Sequence, residues 1–130
     1  MQENNSFEDV QCRNDALLQL FQSDLVNEKD QSIDIDIKGA KFYVDTYLQN
    51  KRLSVEEGID YINDCFGKYV VNQCWWSTPV LIRRVSKSVG KFYHSMLRHH
   101  IITMREYSSV QDTVEHCVDS WIEDLFRKSK

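Results

Sequence analysis

One stretch of the sequence decides the fold, and it covers residues 70–104, VVNQCWWSTPVLIRRVSKSVGKFYHSMLRHHIITM. Thr78 followed by Pro79 is typical of a helix start, because threonine caps the first turn and proline at the first helical position loses no hydrogen bond. Apolar residues then recur at helical spacing, at Val85, Val89, Phe92, Met96 and Ile101. The stretch therefore predicts a long central helix from Pro79 to about Arg105.

Two further helices are predicted before this stretch. The first covers about residues 8–27, where apolar residues share one face. The second covers about residues 35–50 and contains Gly39, which weakens a helix unless another helix packs close to it. Residues 33–37 alternate as a strand does, but no partner strand is in view, so we interpret them as an extended lead-in or a first helical turn.

A third and a last helix complete the prediction. Ser54 and Glu57 match a capping box before the third helix, and Ser108 or Ser109 is the expected start of the last one. Trp121 falls on the inner face of that last helix, where it can close the end of the bundle. Five helices with short connections predict an all-α bundle in a single domain, residues 1–130, with residues 1–6 frayed.

The composition and charge of the chain argue against two classes of protein, nucleic-acid-binding proteins and membrane-spanning proteins. The chain has 130 residues, of which 42% are apolar, and a net charge of −4. This charge is too mild and of the wrong sign to favour a nucleic-acid partner, and no apolar run is long enough to span a bilayer directly. Acidic residues crowd the first third of the chain, whereas basic residues lie on the central helix. We expect these two groups to pair within the molecule.

The residue patterns give no sign of catalysis or of a cofactor. The histidines do not form a metal-binding pair, since His94 and His99 are five positions apart rather than four. Phosphate-binding glycine loops and hydrolase motifs are absent from the sequence. The four cysteines lack a C-x-x-C pair, which favours free thiols in a reducing compartment. We therefore expect a cytoplasmic binding protein without metal or cofactor, and not an enzyme.

Four segments, taken in order, resemble the homology motifs of the Bcl-2 family of apoptosis regulators. Residues 16–25, ALLQLFQSDL, resemble the first-helix motif, and residues 35–42, IDIKGAKF, resemble the third motif with Gly39 at its glycine. Residues 71–76, VNQCWW, fall where the family has Val-Asn-Trp-Gly-Arg, with Asn72 as the asparagine. Residues 118–124, VDSWIED, resemble the second motif around Trp121. The resemblance implies a Bcl-2-like helical bundle around a central helix.

The sequence also departs from the family pattern. Ala40 follows the glycine of the third motif, where the family usually has aspartate. The arginine that normally pairs with an aspartate of the bound helix is missing before the central helix. Arg83 or Arg84, one to two turns on, is the candidate replacement, and Arg84 is the expected charge partner in the groove. The short chain and the absence of a C-terminal anchor resemble viral members more than cellular ones.

The resemblance implies an inhibitor of apoptosis. Such a protein sequesters the amphipathic BH-3 (Bcl-2 homology 3) helix of pro-apoptotic Bcl-2 proteins in a surface groove. The expected partner-binding residues are Phe42, Tyr47, Ile62, Phe66, Val70, Trp76, Val80 and Arg84. We expect it in the host-cell cytoplasm, where its partners could bring it to mitochondria.

Two alternatives remain open at this point. The chain could be a viral adaptor of the same fold that blocks innate immune signalling without a working groove, as a homodimer in some relatives. It could also be an unrelated helical interaction protein. For each apolar residue of the expected groove, packing in the core is the competing interpretation.

Overall fold

The computed structural model describes residues 7–28, 33–73 and 78–128. Within these ranges it contains five helices and no strand, so the all-α prediction is confirmed. The expectation for residues 1–6 lies outside the described residues. The helices are α1 (Phe7–Glu28), α2 (33–51), α3 (57–73), α4 (Pro79–Arg98) and α5 (Met104–Lys128).

Two of these helices are irregular. α2 has wider π-type turns at Phe42–Leu48, and α3 begins with a tighter 3₁₀ segment at Glu57–Tyr61 and contains π turns at Cys65–Tyr69. Residues 33–37 form the first turn of α2, so their alternation of apolar and acidic residues does not indicate an extended segment. Asp34 and Asp36 suit this position because carboxylates stabilise the N-terminal end of a helix dipole.

The predicted starts of α3 and α4 are confirmed. The Ser54 amide donates to a Glu57 carboxylate oxygen at 2.9 Å, and the Glu57 amide donates to the Ser54 hydroxyl at 3.2 Å. The Thr78 hydroxyl accepts a hydrogen bond from the Leu81 amide at 3.2 Å, with Pro79 at the first position of the helix. These caps satisfy amides that have no partner inside the helix.

The predicted end of the central helix is wrong. α4 ends at Arg98, where His100 adopts a left-handed conformation with φ of 61°. The amides of His100 and Ile101 donate to the carbonyls of Leu97 and Met96 at 3.0 and 2.9 Å, which is the Schellman arrangement at a helix C-terminus. The apolar spacing of the sequence does not reveal this end, because Ile102, in the connection between α4 and α5, is also buried.

The predicted start of the last helix at Ser108 or Ser109 is wrong as well. Thr103 and Glu106 form a second capping box, in which the Thr103 amide donates to Glu106 at 2.8 Å and the Glu106 amide donates to Thr103 at 3.1 Å. α5 therefore begins at Met104.

α4 lies at the centre of the bundle and packs against α1, α2 and α5. Its middle is buried on several sides, since Ser88, Val89 and Gly90 are all buried although they are consecutive. Phe92 meets Phe21 of α1 edge to face, with ring centres 5.5 Å apart. A helix that is buried around most of its circumference needs neighbours on each side, and α1, α2 and α5 supply them.

Candidate partner-binding surfaces

The residues expected to line a groove divide into two groups. Four of them have no exposed surface and belong to the hydrophobic core: Tyr47, Ile62, Phe66 and Val70. Phe42 is partly buried against the same core, and Trp76 lies outside the described residues. Val80 and Arg84, by contrast, reach the surface, with exposed fractions of 75% for Val80 and 26% for the Arg84 side chain.

Aromatic contacts hold α2 against α3 over this set. The Tyr69 ring of α3 lies 6.3 Å from the Phe42 ring and 5.4 Å from the Tyr47 ring, centre to centre. The Tyr47 hydroxyl also donates a hydrogen bond to the Asp64 carboxylate. Burial, together with this bond, raises the pKa of Tyr47 far above its ordinary value. α2 and α3 therefore pack directly on each other where the groove was expected, and Tyr47 is not accessible from the surface.

A buried carboxylate joins α2 to α4. Asp36 has no exposed surface, and its carboxylate oxygens lie 3.2 Å from Arg84, 2.8 Å from Lys91 and 2.9 Å from the Ser88 hydroxyl. A buried charge is costly unless it is paired and hydrogen-bonded, and these three groups meet that need. The expected pairing of acids in the first third with bases of the central helix is thus found here.

The three motif residues occupy different environments. Gly39 lies against α4 so closely that a Cβ atom there would come within 2.6 Å of the Ser88 Cβ, so the expected close approach of a helix is found. Trp121 is buried in α5, donates its indole N–H to the Asn63 side chain at 2.7 Å, and stacks on Phe66 at 5.1 Å. Asn72 is exposed near the end of α3.

Val80 of α4 and Phe126 of α5 are exposed apolar residues on two helices that an ion pair joins. Arg83 pairs with Asp119 across α4 and α5 at 2.9 Å. Val80 lies three residues before Arg83, and Phe126 lies seven residues after Asp119, so each shares a helix face with its neighbour in the ion pair. Val80 and Phe126 are 75% and 58% exposed. Val80 is therefore the most exposed apolar residue of the expected partner-binding set within the described residues.

A separate cleft opens between α1, α4 and α5. Its volume is about 520 Å³, and none of the predicted partner-binding residues lines it. α4 supplies one wall with Lys87, Lys91, His94 and Arg98, while α1 and α5 supply Phe21, Leu25 and Val114. The sequence carries a signal for this cleft, since those four residues follow one another at three- and four-residue steps around Gly90. The same spacing also fits basic residues that only form internal ion pairs, which is the pairing expected from the sequence.

Asp24 of α1 lies at one end of this cleft and bonds to residues of α4 and its C-terminal cap. Its carboxylate accepts a hydrogen bond from the Ser95 hydroxyl, and the His99 ring lies 2.9 Å from the same group. Burial opposes the charge on Asp24, but the bonds to Ser95 and His99 outweigh it, so the pKa of Asp24 lies below its ordinary value. α1 is thereby attached to the C-terminal end of α4.

Groups suited to metal binding do not come together in the part of the chain that the structure describes, where no three His, Cys, Asp or Glu side chains form such a cluster. Cys12, Cys65 and Cys117 are free thiols. Of the helices in the described ranges, none has the length and apolar content needed to cross a membrane.

Comparison with known proteins gives no relative for this chain. Neither a protein-family model, nor a curated protein, nor a solved structure matches it.

Proposed function

We propose that this protein is a Bcl-2-like inhibitor of apoptosis that captures the amphipathic BH-3 helix of pro-apoptotic Bcl-2 proteins. The observation that carries the proposal is the order of the four motif segments on the helices. They fall on α1, on α2, at the end of α3 and on α5, around a central α4, with residues 74–76 of the third segment outside the described residues. Gly39 packs against α4, and Trp121 of α5 is buried against Phe66 of α3, so the inward positions of two motif residues support the proposal.

The burial of the expected groove residues supports a mechanism in two steps. Tyr47, Phe66 and Val70 are fully enclosed, so the ligand helix first docks on exposed apolar surface and then separates α2 from α3. Val80 offers that first contact. The closed state lowers the apparent affinity, because only the open fraction of molecules binds the ligand.

Arg84 is the cationic anchor in this mechanism. It bonds the buried Asp36 through one of its terminal nitrogens, while part of the side chain stays exposed. A guanidinium has five N–H donors in a fixed fork, so the exposed side of Arg84 can pair with an aspartate of the ligand. Lys91 and Ser88 continue to hold Asp36 when Arg84 turns toward the ligand.

Peptide titration tests the proposal. Fluorescence anisotropy with a panel of labelled BH-3 peptides should give a Kd below about 1 μM for at least one peptide. Val80→Glu should weaken that binding about tenfold, because it places a charge in an apolar contact. Val26→Glu is the matched control, since Val26 is also exposed, at 61%, but lies on α1. Absence of binding to every peptide at about 100 μM would contradict the proposal.

A second function is favoured by the same burial of Tyr47, Ile62, Phe66 and Val70. If α2 and α3 stay closed, the bundle acts through its outer surfaces, as an adaptor that blocks innate immune signalling, alone or as a homodimer. This function predicts no binding to any BH-3 peptide, together with a reduced response of an inflammatory-signalling reporter in cells that express the protein. An unchanged reporter response would exclude it.

A further inference from the structure

The cleft between α1, α4 and α5 has the size of a small-molecule site. Its volume of about 520 Å³ lies within the range of roughly 300–1,000 Å³ that is typical of ligand pockets. None of the expected partner-binding residues lines it, although Lys91 also pairs with Asp36, the partner of Arg84.

Small residues of α4 give the cleft its depth. Gly90 lies in the cleft wall, and a Cβ atom built on it would meet only the Gln111 side-chain oxygen, at 3.8 Å. Ser95 lies farther along the same wall. Phe21 and Leu25 of α1, which belong to the core, line the opposite side together with Val114 of α5. Apolar side chains therefore make up part of the cleft lining.

The rim on α4 is cationic. Lys87 is exposed there, and Lys91 follows one turn later. Lys91 and Arg84 both pair with the buried Asp36. Asp24, at the far end of the cleft, is already bound by Ser95 and His99, and Glu115 is the acid that α5 contributes. The cleft lining therefore holds three basic side chains of α4, Lys87, Lys91 and Arg98, against two carboxylates.

We propose that this cleft binds a single-chain amphiphile with an anionic head group, of the class of fatty-acid carboxylates and alkyl phosphates. The head group pairs with the ammonium groups of Lys87 and Lys91, which are charge-assisted donors to carboxylate and phosphate oxygens. The hydrocarbon chain lies along Phe21, Leu25 and Val114, where it loses contact with water.

Calorimetric titration of the full chain tests this assignment. Dodecanoate and dodecyl phosphate, kept below the concentrations at which they form micelles, are the two anionic probes. At least one should bind with a Kd below about 100 μM. Dodecyltrimethylammonium has a similar chain and the opposite charge, and it should bind at least about tenfold more weakly. Equal binding of the cation, or no binding of either anion at about 1 mM, would overturn the proposal.

Two pairs of variants locate the binding in the cleft. Lys87→Glu should weaken anion binding by about tenfold, whereas Lys68→Glu, at an exposed lysine of α3, should leave it unchanged. Gly90→Leu should fill the cleft and abolish binding, while Gly90→Ala should keep it, with circular dichroism and a cooperative thermal transition verifying that each variant is folded. Unchanged binding by Lys87→Glu, or by folded Gly90→Leu, would show that the cleft is not the site.

Discussion

Gly39 and Gly90 are both buried in helices, yet the space around them differs. A Cβ atom at Gly39 would lie 2.6 Å from the Ser88 Cβ, whereas at Gly90 it would meet only Gln111, at 3.8 Å. We expect Gly39→Ala to lower the free energy of unfolding by about 1–3 kcal/mol, the usual effect of overpacking a core. Gly90→Ala should raise it by up to about 1 kcal/mol, because alanine is the better helix former.

Urea denaturation of the two variants measures this difference, and each variant is the control for the other. If Gly39→Ala were as stable as the unchanged protein, α2 would not lie directly against α4 at this point. The placement of the third homology motif on the central helix would then be wrong.

The pKa values of Asp45 in α2 and Asp24 in α1 are shifted in opposite directions by their surroundings. Burial raises the pKa of Asp45, and a hydrogen bond and charge repulsion from Asp15 raise it further. The folded state therefore binds a proton at Asp45 more readily than the unfolded chain does, and this carboxyl destabilises the fold at neutral pH. The pKa of Asp24 is lower in the folded state than in the unfolded chain, so the Asp24 carboxylate stabilises the fold. This stabilisation is fully present above the pKa of Asp24 in the unfolded chain, and it is lost as the pH falls through the pKa of Asp24 in the folded state.

We expect Asp45→Asn to increase stability at pH 7 by roughly 0.5–1 kcal/mol, the size of an interaction between partly exposed charges. The gain should shrink as the pH falls into the range where Asp45 itself becomes protonated. Thermal denaturation from pH 7 to pH 4 follows both effects. A gain that grows toward acid pH would mean that Asp45 is stabilised as the carboxylate, and would contradict this assignment.

The start of α5 gives a sharp prediction for a whole element. The Thr103 hydroxyl accepts the Glu106 amide at 3.1 Å, whereas Ser108 lies inside the helix. Thr103→Ala should lower the free energy of unfolding by about 1 kcal/mol, the usual cost of losing an N-cap. Ser108→Ala, at the start expected from the sequence, should cost nothing, because alanine favours a helix interior. The reverse result in denaturant titrations would place the helix start at Ser108.

Some element boundaries could be predicted from the sequence and others could not. Ser54 with Glu57 and Thr78 with Pro79 identified two helix starts, because those residues form their caps locally. The break after Arg98 was missed because no glycine or proline marks it. His100 takes the left-handed position that glycine usually occupies, and the apolar Ile101 and Ile102 hide the break from a test of periodicity.

At the scale of the molecule, the sequence could predict five helices but not which apolar residues are enclosed. The sequence predicts Tyr47, Phe66 and Val70 as groove walls because they lie on the apolar faces of α2 and α3. The same pattern results when those faces pack on each other, and here Tyr69 closes the gap between the two helices. Periodicity identifies an apolar face but does not say whether its neighbour belongs to the same molecule.

The second surface, the cleft, was missed for a related reason. It is built from three helices that are far apart in sequence, so no local motif contains it. Lys87 and Lys91 of its rim resemble an ordinary solvated helix face when they are considered alone. Only their position beside Gly90, Phe21 and Val114 makes them the rim of a pocket.

An NMR titration tests the central claim most directly, because it shows both whether a BH-3 helix binds and where. ¹⁵N-labelled protein is titrated with the unlabelled peptides in turn. The proposed mechanism predicts that at least one peptide shifts the amide signals around Phe42, Tyr69 and Val80, while the signal of Gly90 in the cleft stays in place. Signals that do not move at an excess of every peptide, or that move only on α1 and α5, would contradict it.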